Sequence, residues 1–338
     1  MGEEQLLNER EIIQCLAQNR GDDCEDVLQS IGDDCAVVRK DDTTAWLVTM
    51  DTLVENVHFN RSWHPPELLG RKAIAVNVSD IAAMGGVPRF VLLSLGAPRP
   101  PDEQWIRSFS RGVASACRQY GCLLIGGDTV HSPEWYSLCV TLIGEAPSDR
   151  VLYRSGAQAG DRIWVSGYLG QAAAGLELYT RGIDSVAPYQ ALYQAHLDPV
   201  ARVDLGKMLA DLGDIRSMMD LSDGMATDLA HLCTCSGTGA QVEAWQLPIS
   251  TSLSLACDTY DLSAVSLAVR GGEDFELLFT APRSADSDII SIGQQLGIQL
   301  SAVGTIEEGD KVVLINQGKQ NIEELSYQGF DHFGPRCL

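Results

Sequence analysis

The chain has 338 residues, 46 of them acidic and 24 basic, which gives a formal net charge of -22 at pH 7. That length predicts about two domains, each large enough for its own core, and excludes a small staple-dependent fold. The acidic surplus repels polyphosphate chains and anionic membrane surfaces, which argues against nucleic acid and membrane as partners, and 45% apolar with 21% charged residues excludes wholesale disorder.

The opening segment MGEEQLLNEREII carries acids and no apolar leader core, and the longest apolar runs fall short of a bilayer span, so a cytoplasmic protein is expected. GDDCAVV at 32–38 sets Asp33 and Asp34 before a short strand, and AWLVTM at 45–50 reads as a strand ending in Asp51. RKAIAVNVSDIAAMGG at 71–86 reads as a helix rich in Ala, Ile and Val. An ionised Asp80 there costs on the order of several kcal/mol unless a cation or dipole compensates it. FVLLSL at 90–95 is a strand. Over 102–120, Trp105, Phe109, Val113, Cys117 and Tyr120 recur at helical spacing and Gly121 closes the segment, which predicts an amphipathic helix. CLLIGG at 122–127 reads as a strand ending in Asp128, and YSLCVTLIGE at 136–145 as another.

The composition turns small and polar over 146–160, which predicts a boundary near 148 and two units, 1–148 and 149–338. Beyond it the same alternation returns: a strand at DRIWVSG, helices at 170–180 and 199–211, and strand-like IRSMMD ending in Asp220. A helix at 223–235, strand-like SLAVR and ELLFT, a helix near 286–296 and two closing strands complete it. The fold class this predicts is α/β or mixed α+β.

Asp51, Asp128 and Asp220 each follow an apolar run, with Asp223 close behind in DLSDG. Singly, each fits a turn former or helix cap. Together they predict carboxylates converging at one sheet edge, an arrangement that needs protons or cations, and hard oxygen donors suit magnesium. The glycines of GGDT, SGYLG and GGED allow backbone to approach a ligand closely. GQAAAGL at 170–176 has a phosphate loop's glycine spacing but no following lysine, so a protein of this composition that handles ATP needs metal ions for the phosphate charge. GxSxG and HExxH are absent and the six histidines show no ligand pairing, which leaves hydrolase readings little support. The ten cysteines sit mostly singly in the manner of reduced thiols, and the pair Cys233 and Cys235 lacks a second pair at zinc-finger spacing.

GDDCAVV, TMDTLVENVHF, AVNVSDIAAMGG, LIGGDT, LYRSGAQAGD, DLSDGMATDLAHL, GGEDFELLF and GFDHF, in this order, closely resemble the thiamine-monophosphate kinase family of the AIR synthetase-like superfamily. The resemblance runs from about residue 10 to 333, and TMDTLVENVHF and GFDHF are specific to that branch. It implies a two-domain AIR synthetase-like fold whose N-terminal domains pair in a homodimer, and ATP-dependent, magnesium-assisted in-line phosphorylation of thiamine phosphate to thiamine diphosphate, without a general base. Position by position, it implies several magnesium ions at Asp34, Thr49, Met50, Asp51, Asp80, Asp128, Asp220 and Asp223. Met50 serves through its backbone carbonyl, since a thioether is a poor magnesium ligand and the family usually has a small polar residue there. ATP contacts are implied for Gly127, Asp128, Arg154 and Ser222, and substrate contacts for His58, Glu273 and Phe330. Cys337 faintly resembles the terminal cysteine of the superfamily's hydrogenase-maturation branch, which lacks the HF and GFDHF matches. Two other readings stay open: AIR synthetase-like activation of an amide or formyl oxygen, which releases free phosphate, and an acidic cation-binding protein without turnover.

Overall fold

In the computed structural model, the described residues are 7–21, 24–183, 187–316, 322–325, 327–330 and 332. Cys337 lies outside them. Before residue 148 the chain forms α1 (Glu9–Gln18), β1 (Val27–Gln29), β2 (Ala36–Arg39), β3 (Thr44–Val54), α2 (Pro66–Ala83), β4 (Val87–Ala97), α3 (Glu103–Tyr120), β5 (Leu123–His131) and β6 (Ser137–Pro147). These strands make one sheet in the order β1-β2-β3-β6-β4-β5, antiparallel except for β4 with β5, and α2 and α3 pack on one face. The local chemistry of α3 matches its periodicity: the Asp102 side chain accepts from Trp105 N at 2.8 Å, and Gly121 ends the helix at φ 71°.

The remainder forms β7 (Arg162–Ser166), α4 (Gln171–Thr180), α5 (Gln190–Leu197), α6 (Val203–Leu212), β8 (Ser217–Asp220), α7 (Met225–Ser236), β9 (Gly239–Glu243), α8 (Thr251–Tyr260), α9 (Ala264–Arg270), β10 (Leu277–Ala281), α10 (Asp286–Leu296), β11 (Leu300–Glu307), β12 (Val312–Ile315) and β13 (Ile322–Glu324). The second sheet has the order β13-β12-β9-β11-β7-β10-β8. Strands β8 and β10 are buried on both faces: Met219 and Leu278 join a core with α7 and α9, while Met218, Leu277 and Phe279 join another with α6 and α10. Successive side chains therefore enter opposite cores, and the strands read as unbroken apolar runs.

Four expectations change. SLAVR is helical, as α9, because the Ser263 side chain accepts from Ser266 N at 3.2 Å and starts a helix that a short apolar run alone cannot announce. The closing strands are three, β11, β12 and β13, rather than two. β3 and β5 do not end at Asp51 and Asp128: β6 pairs with β3 as far as Val54, and β4 carries β5 to His131. Nor do parallel strand ends gather the acids, since most neighbouring strands run antiparallel.

What gathers them is α2, which lies between the first sheet, α3, α6 and β8 and is buried on nearly all sides. Its close contact with α3 depends on small residues, because a Cβ on Gly112 would fall 1.9 Å from Glu67 O. Gly112→Val is expected to cost roughly 1–3 kcal/mol by overpacking, which thermal denaturation would show as a Tm lower by roughly 2–10 °C. An unchanged Tm would mean that α2 and α3 do not meet there.

Candidate active site

α2 presents Asn77, Ser79 and Asp80 toward both halves of the chain. Thr49 on β3 donates from Oγ1 to Asp80 Oδ2 at 2.5 Å, and Ser79 Oγ donates to Asp220 Oδ2, at the end of β8, at 2.5 Å. Asp51 N donates to Asn77 Oδ1 at 3.0 Å. The turn before β2 adds Asp34, whose Oδ1 accepts from Arg154 Nη2 at 2.6 Å and Nε at 3.1 Å. One carboxylate oxygen from each of Asp34, Asp80 and Asp220 lies within 4.8 Å of the others.

Burial and mutual repulsion raise these acids. Burial, then the charge of Asp34, pushes Asp51 up to about 6 and Asp220 up to about 8. Burial, then Asp51, Asp220 and Asp34, carries Asp80 well above the ordinary carboxyl range. Asp34 is raised by burial despite the adjacent Arg154, and its Oδ2 is buried without a hydrogen-bond partner. Three converging carboxylates, with a buried and unpartnered oxygen on Asp34, fit a hard divalent cation of the magnesium class.

Not every residue expected at this cluster reaches it. Asp128 pairs with Ser94 of β4, which faces Cys139 of β6, which faces Thr52 of β3. Three ladder spacings, roughly 14 Å, separate it from the residue beside Asp51. A single cluster containing Asp128 is therefore not formed within one chain, because the strand order puts β5 at the edge of the sheet, beyond β4 and β6. Gly127 beside it is tightly fitted, since a Cβ would meet Leu93 O at 1.8 Å. The Met50 side chain is 63% exposed, on the sheet face opposite Thr49 and Asp51, so only its backbone faces the question of metal binding. Ser222 and Asp223 lie in the turn after β8, where Asp228 Oδ2 accepts from the backbone N of Asp223 at 3.2 Å and of Gly224 at 3.0 Å.

His58, Glu273 and Phe330, far apart in sequence, come together beside that turn. Glu273 N donates to Ser222 O at 2.7 Å, and Phe330 N to Asp223 O at 2.9 Å. Phe330 is 42% exposed rather than a core residue; its ring lies 4.9 Å from His332, which lies 5.1 Å from His58. Val54 N donates to His58 Nδ1 at 3.0 Å, and burial lowers this imidazole to about 4, so it is neutral.

GGED and SGYLG explain each other. Asp274 Oδ2 accepts from Gly170 N at 2.6 Å at the start of α4, and burial raises this carboxyl to about 7. Sequence reading missed Asn77, Ser79, Lys72, Asp228 and His332. For those on α2 a signal existed: Lys72, Asn77, Ser79 and Asp80 are polar residues inside an apolar helix, and only Asp80 drew notice.

Residues 32–146 match the family AIR synthase related protein, N-terminal domain, and residues 158–316 match AIR synthase related protein, C-terminal domain. The fold is thus the mixed α/β architecture of that class. Thiamine-monophosphate kinase of Aquifex aeolicus is 37% identical over 304 residues, 90% of this chain and 92% of that protein. The Haemophilus influenzae enzyme of the same name is 37% identical over 313 residues, 91% of this chain and 93% of that protein. A solved structure described as AaThiL complexed with AMPPCP and TMP has a TM-score of 0.83 at 34% identity, covering 98% of this chain and 100% of the other. The hydrogenase maturation protein HypE in complex with ATP, at 19% identity and a TM-score of 0.70 over 86% of this chain and 87% of its own, shares the fold alone. The chain belongs to the thiamine-monophosphate kinase family.

The carboxylate cluster predicts a pH signature. With folded values of about 6 for Asp51 and about 8 for Asp220 against an ordinary 3.8, the native state holds protons that the unfolded chain has released. Stability of the chelator-treated protein should therefore fall as pH rises from about 4 to about 8. Asp80→Asn, which removes one of the like charges, should flatten that fall and raise Tm at the alkaline end. Scanning fluorimetry across this range checks it, and a Tm that neither pH nor the substitution moves would mean the acids are compensated without a cation.

Proposed function

We propose that this chain transfers the terminal phosphoryl group of ATP to thiamine phosphate, forming thiamine diphosphate. The observation that carries the reading is the Asp34, Asp80 and Asp220 cluster, tied through the Ser222–Asp223 turn to a pocket of His58, Glu273 and Phe330. The thiamine-monophosphate kinases at 37% identity, and a neighbouring structure that holds AMPPCP and TMP, support the substrate pair.

The acceptor is itself a phosphate with a pKa near 6, largely dianionic at neutral pH, so no residue needs to remove a proton. The remaining obstacle is repulsion between two anions inside an acidic site. Several magnesium ions, held by Asp34, Asp80 and Asp220 with Asp51, Asp223, Asp128, Thr49 and the Met50 carbonyl at further positions, would supply the charge neutralisation. Arg154 keeps one guanidinium fork fixed beside Asp34, where it can meet a nucleotide phosphate, with Ser222 and Gly127 as further ATP contacts. The open face of Phe330 and the negative charge of Glu273 suit the cationic rings of the acceptor.

This reading extends to a cytoplasmic homodimer of chains divided into units 1–148 and 149–338. No helix among the described residues is long and apolar enough to cross a membrane. The occupant we assign to the uncovered side of the first sheet is a second copy. β5 is an edge strand exposed along its whole length, and Leu92, Leu123, Leu124, Ile125 and Val130 form an apolar surface there. Such an edge needs a cover.

Incubation with γ-labelled ATP, magnesium and thiamine phosphate tests the reaction: label should appear in thiamine diphosphate. Free labelled phosphate would favour amide activation, and no turnover would leave cation binding alone. Phe330→Ala should weaken acceptor binding by roughly 0.5–2 kcal/mol, a rise of about 2- to 30-fold in KM for thiamine phosphate, with KM for ATP nearly unchanged. Loss of ATP affinity instead would remove Phe330 from the acceptor pocket. For the assembly, light scattering should show a dimer that Ile125→Asp converts to monomer, and a wild-type monomer would overturn that part.

A further inference from the structure

α2 carries a second charged residue in its apolar length. Lys72 is 0% exposed, and its Nζ donates to Glu273 Oε1 at 2.8 Å, to His196 O at 3.1 Å and to His58 O at 3.4 Å. An ammonium has three protons, and here each has an acceptor. On its other side Glu273 Oε2 lies 3.0 Å from His196 Nδ1, a close approach without hydrogen-bond geometry. Burial by itself would raise the Glu273 carboxyl, but Lys72 and His196 hold it well below the usual range. The rings facing this socket stay neutral: burial, then Lys72, lowers both His196 and His64, the latter to about 3.

Glu273 also pays a conformational cost in its backbone, which adopts φ 68°, a left-handed conformation that a non-glycine residue holds only when its surroundings impose it. A buried ion pair is a poor device for stability alone, since apolar residues of similar volume serve as well or better. One ammonium from the first half of the chain thus touches two of the three residues assigned to the acceptor, one through its side chain and one through its main chain.

We propose that Lys72 is a positioning residue of the thiamine phosphate pocket, fixing the Glu273 carboxylate and the His58 main chain relative to each other. The inference rests on the kinase reading and on the roles assigned there to His58 and Glu273. It makes α2 the common mount of both ends of the reaction, with Asp80 at the carboxylate cluster and Lys72 at the acceptor pocket, about two turns of helix apart.

The test is steady-state kinetics of Lys72→Met, which keeps the length of the side chain and removes its charge. KM for thiamine phosphate should rise about tenfold or more while KM for ATP stays within about twofold. The double variant Lys72→Met with Glu273→Gln, which no longer buries an unpaired carboxylate, should recover Tm without recovering affinity for thiamine phosphate. A folded Lys72→Met protein with lowered Tm and wild-type KM for both substrates would make Lys72 merely structural and overturn the proposal. Should Lys72→Met fail to fold, Lys72→Gln carries the same expectation and the same overturning result. Wild-type turnover is measured first: its absence overturns the kinase reading itself, whereas wild-type turnover with an unchanged variant KM overturns the role of Lys72 alone.

Discussion

Three carboxylate oxygens within 4.8 Å of one another, drawn from a turn, a helix and a strand, repel each other in a place where water cannot screen them. Much of the architecture serves to hold them there. Thr49 and Ser79 each donate a hydroxyl to one acid, Arg154 grips a third, and burial drives the acids toward protonation. An arrangement of this kind sacrifices some stability for a strong local demand for positive charge, and that demand suits a protein that must bring two phosphates together.

The demand is met at a junction between two sheets, so the helix that crosses the junction is constrained on every side. α2 packs on the first sheet and α3 with its apolar residues and reaches α6 and β8 with its later turns. Its polar side chains therefore sit where both halves converge, and each has a partner: Lys72 on Glu273, Asn77 on the Asp51 backbone, Ser79 on Asp220 and Asp80 on Thr49. A one-residue shift of this helix would break all four contacts together, which makes the close packing at Gly112 a matter of function as well as of stability.

On the acceptor side the physical problem is different. A cationic aromatic ring system needs an exposed aromatic face and a negative group whose position does not drift. In the proposed reading Phe330 is assigned the first, on a segment tied to Asp223, and Glu273 the second, on a left-handed backbone tied to Ser222. Both ties run to the turn that follows Asp220, so the two ends of the site share one anchor.

The sequence by itself determined a good deal. The helix of 102–120, the strands around the acids and the alternation of elements were legible because hydrophobic period, caps and glycines act within a few residues. Asp80 stood out because an ionised group among Ala, Ile and Val has a cost that local sequence displays, and the ordered motifs from GDDCAVV to GFDHF carried the family resemblance. Tertiary structure alone decided which acids meet. Asp51 and Asp128 look alike as acids after apolar runs, yet register places Thr52 and Asp128 three strands apart and leaves Asp128 on an exposed edge. It alone decided that Lys72 faces Glu273 across 201 positions of sequence. Propensity and capping are short-range effects written in neighbouring residues, whereas strand order and helix crossing arise from packing between segments whose separation no local pattern records.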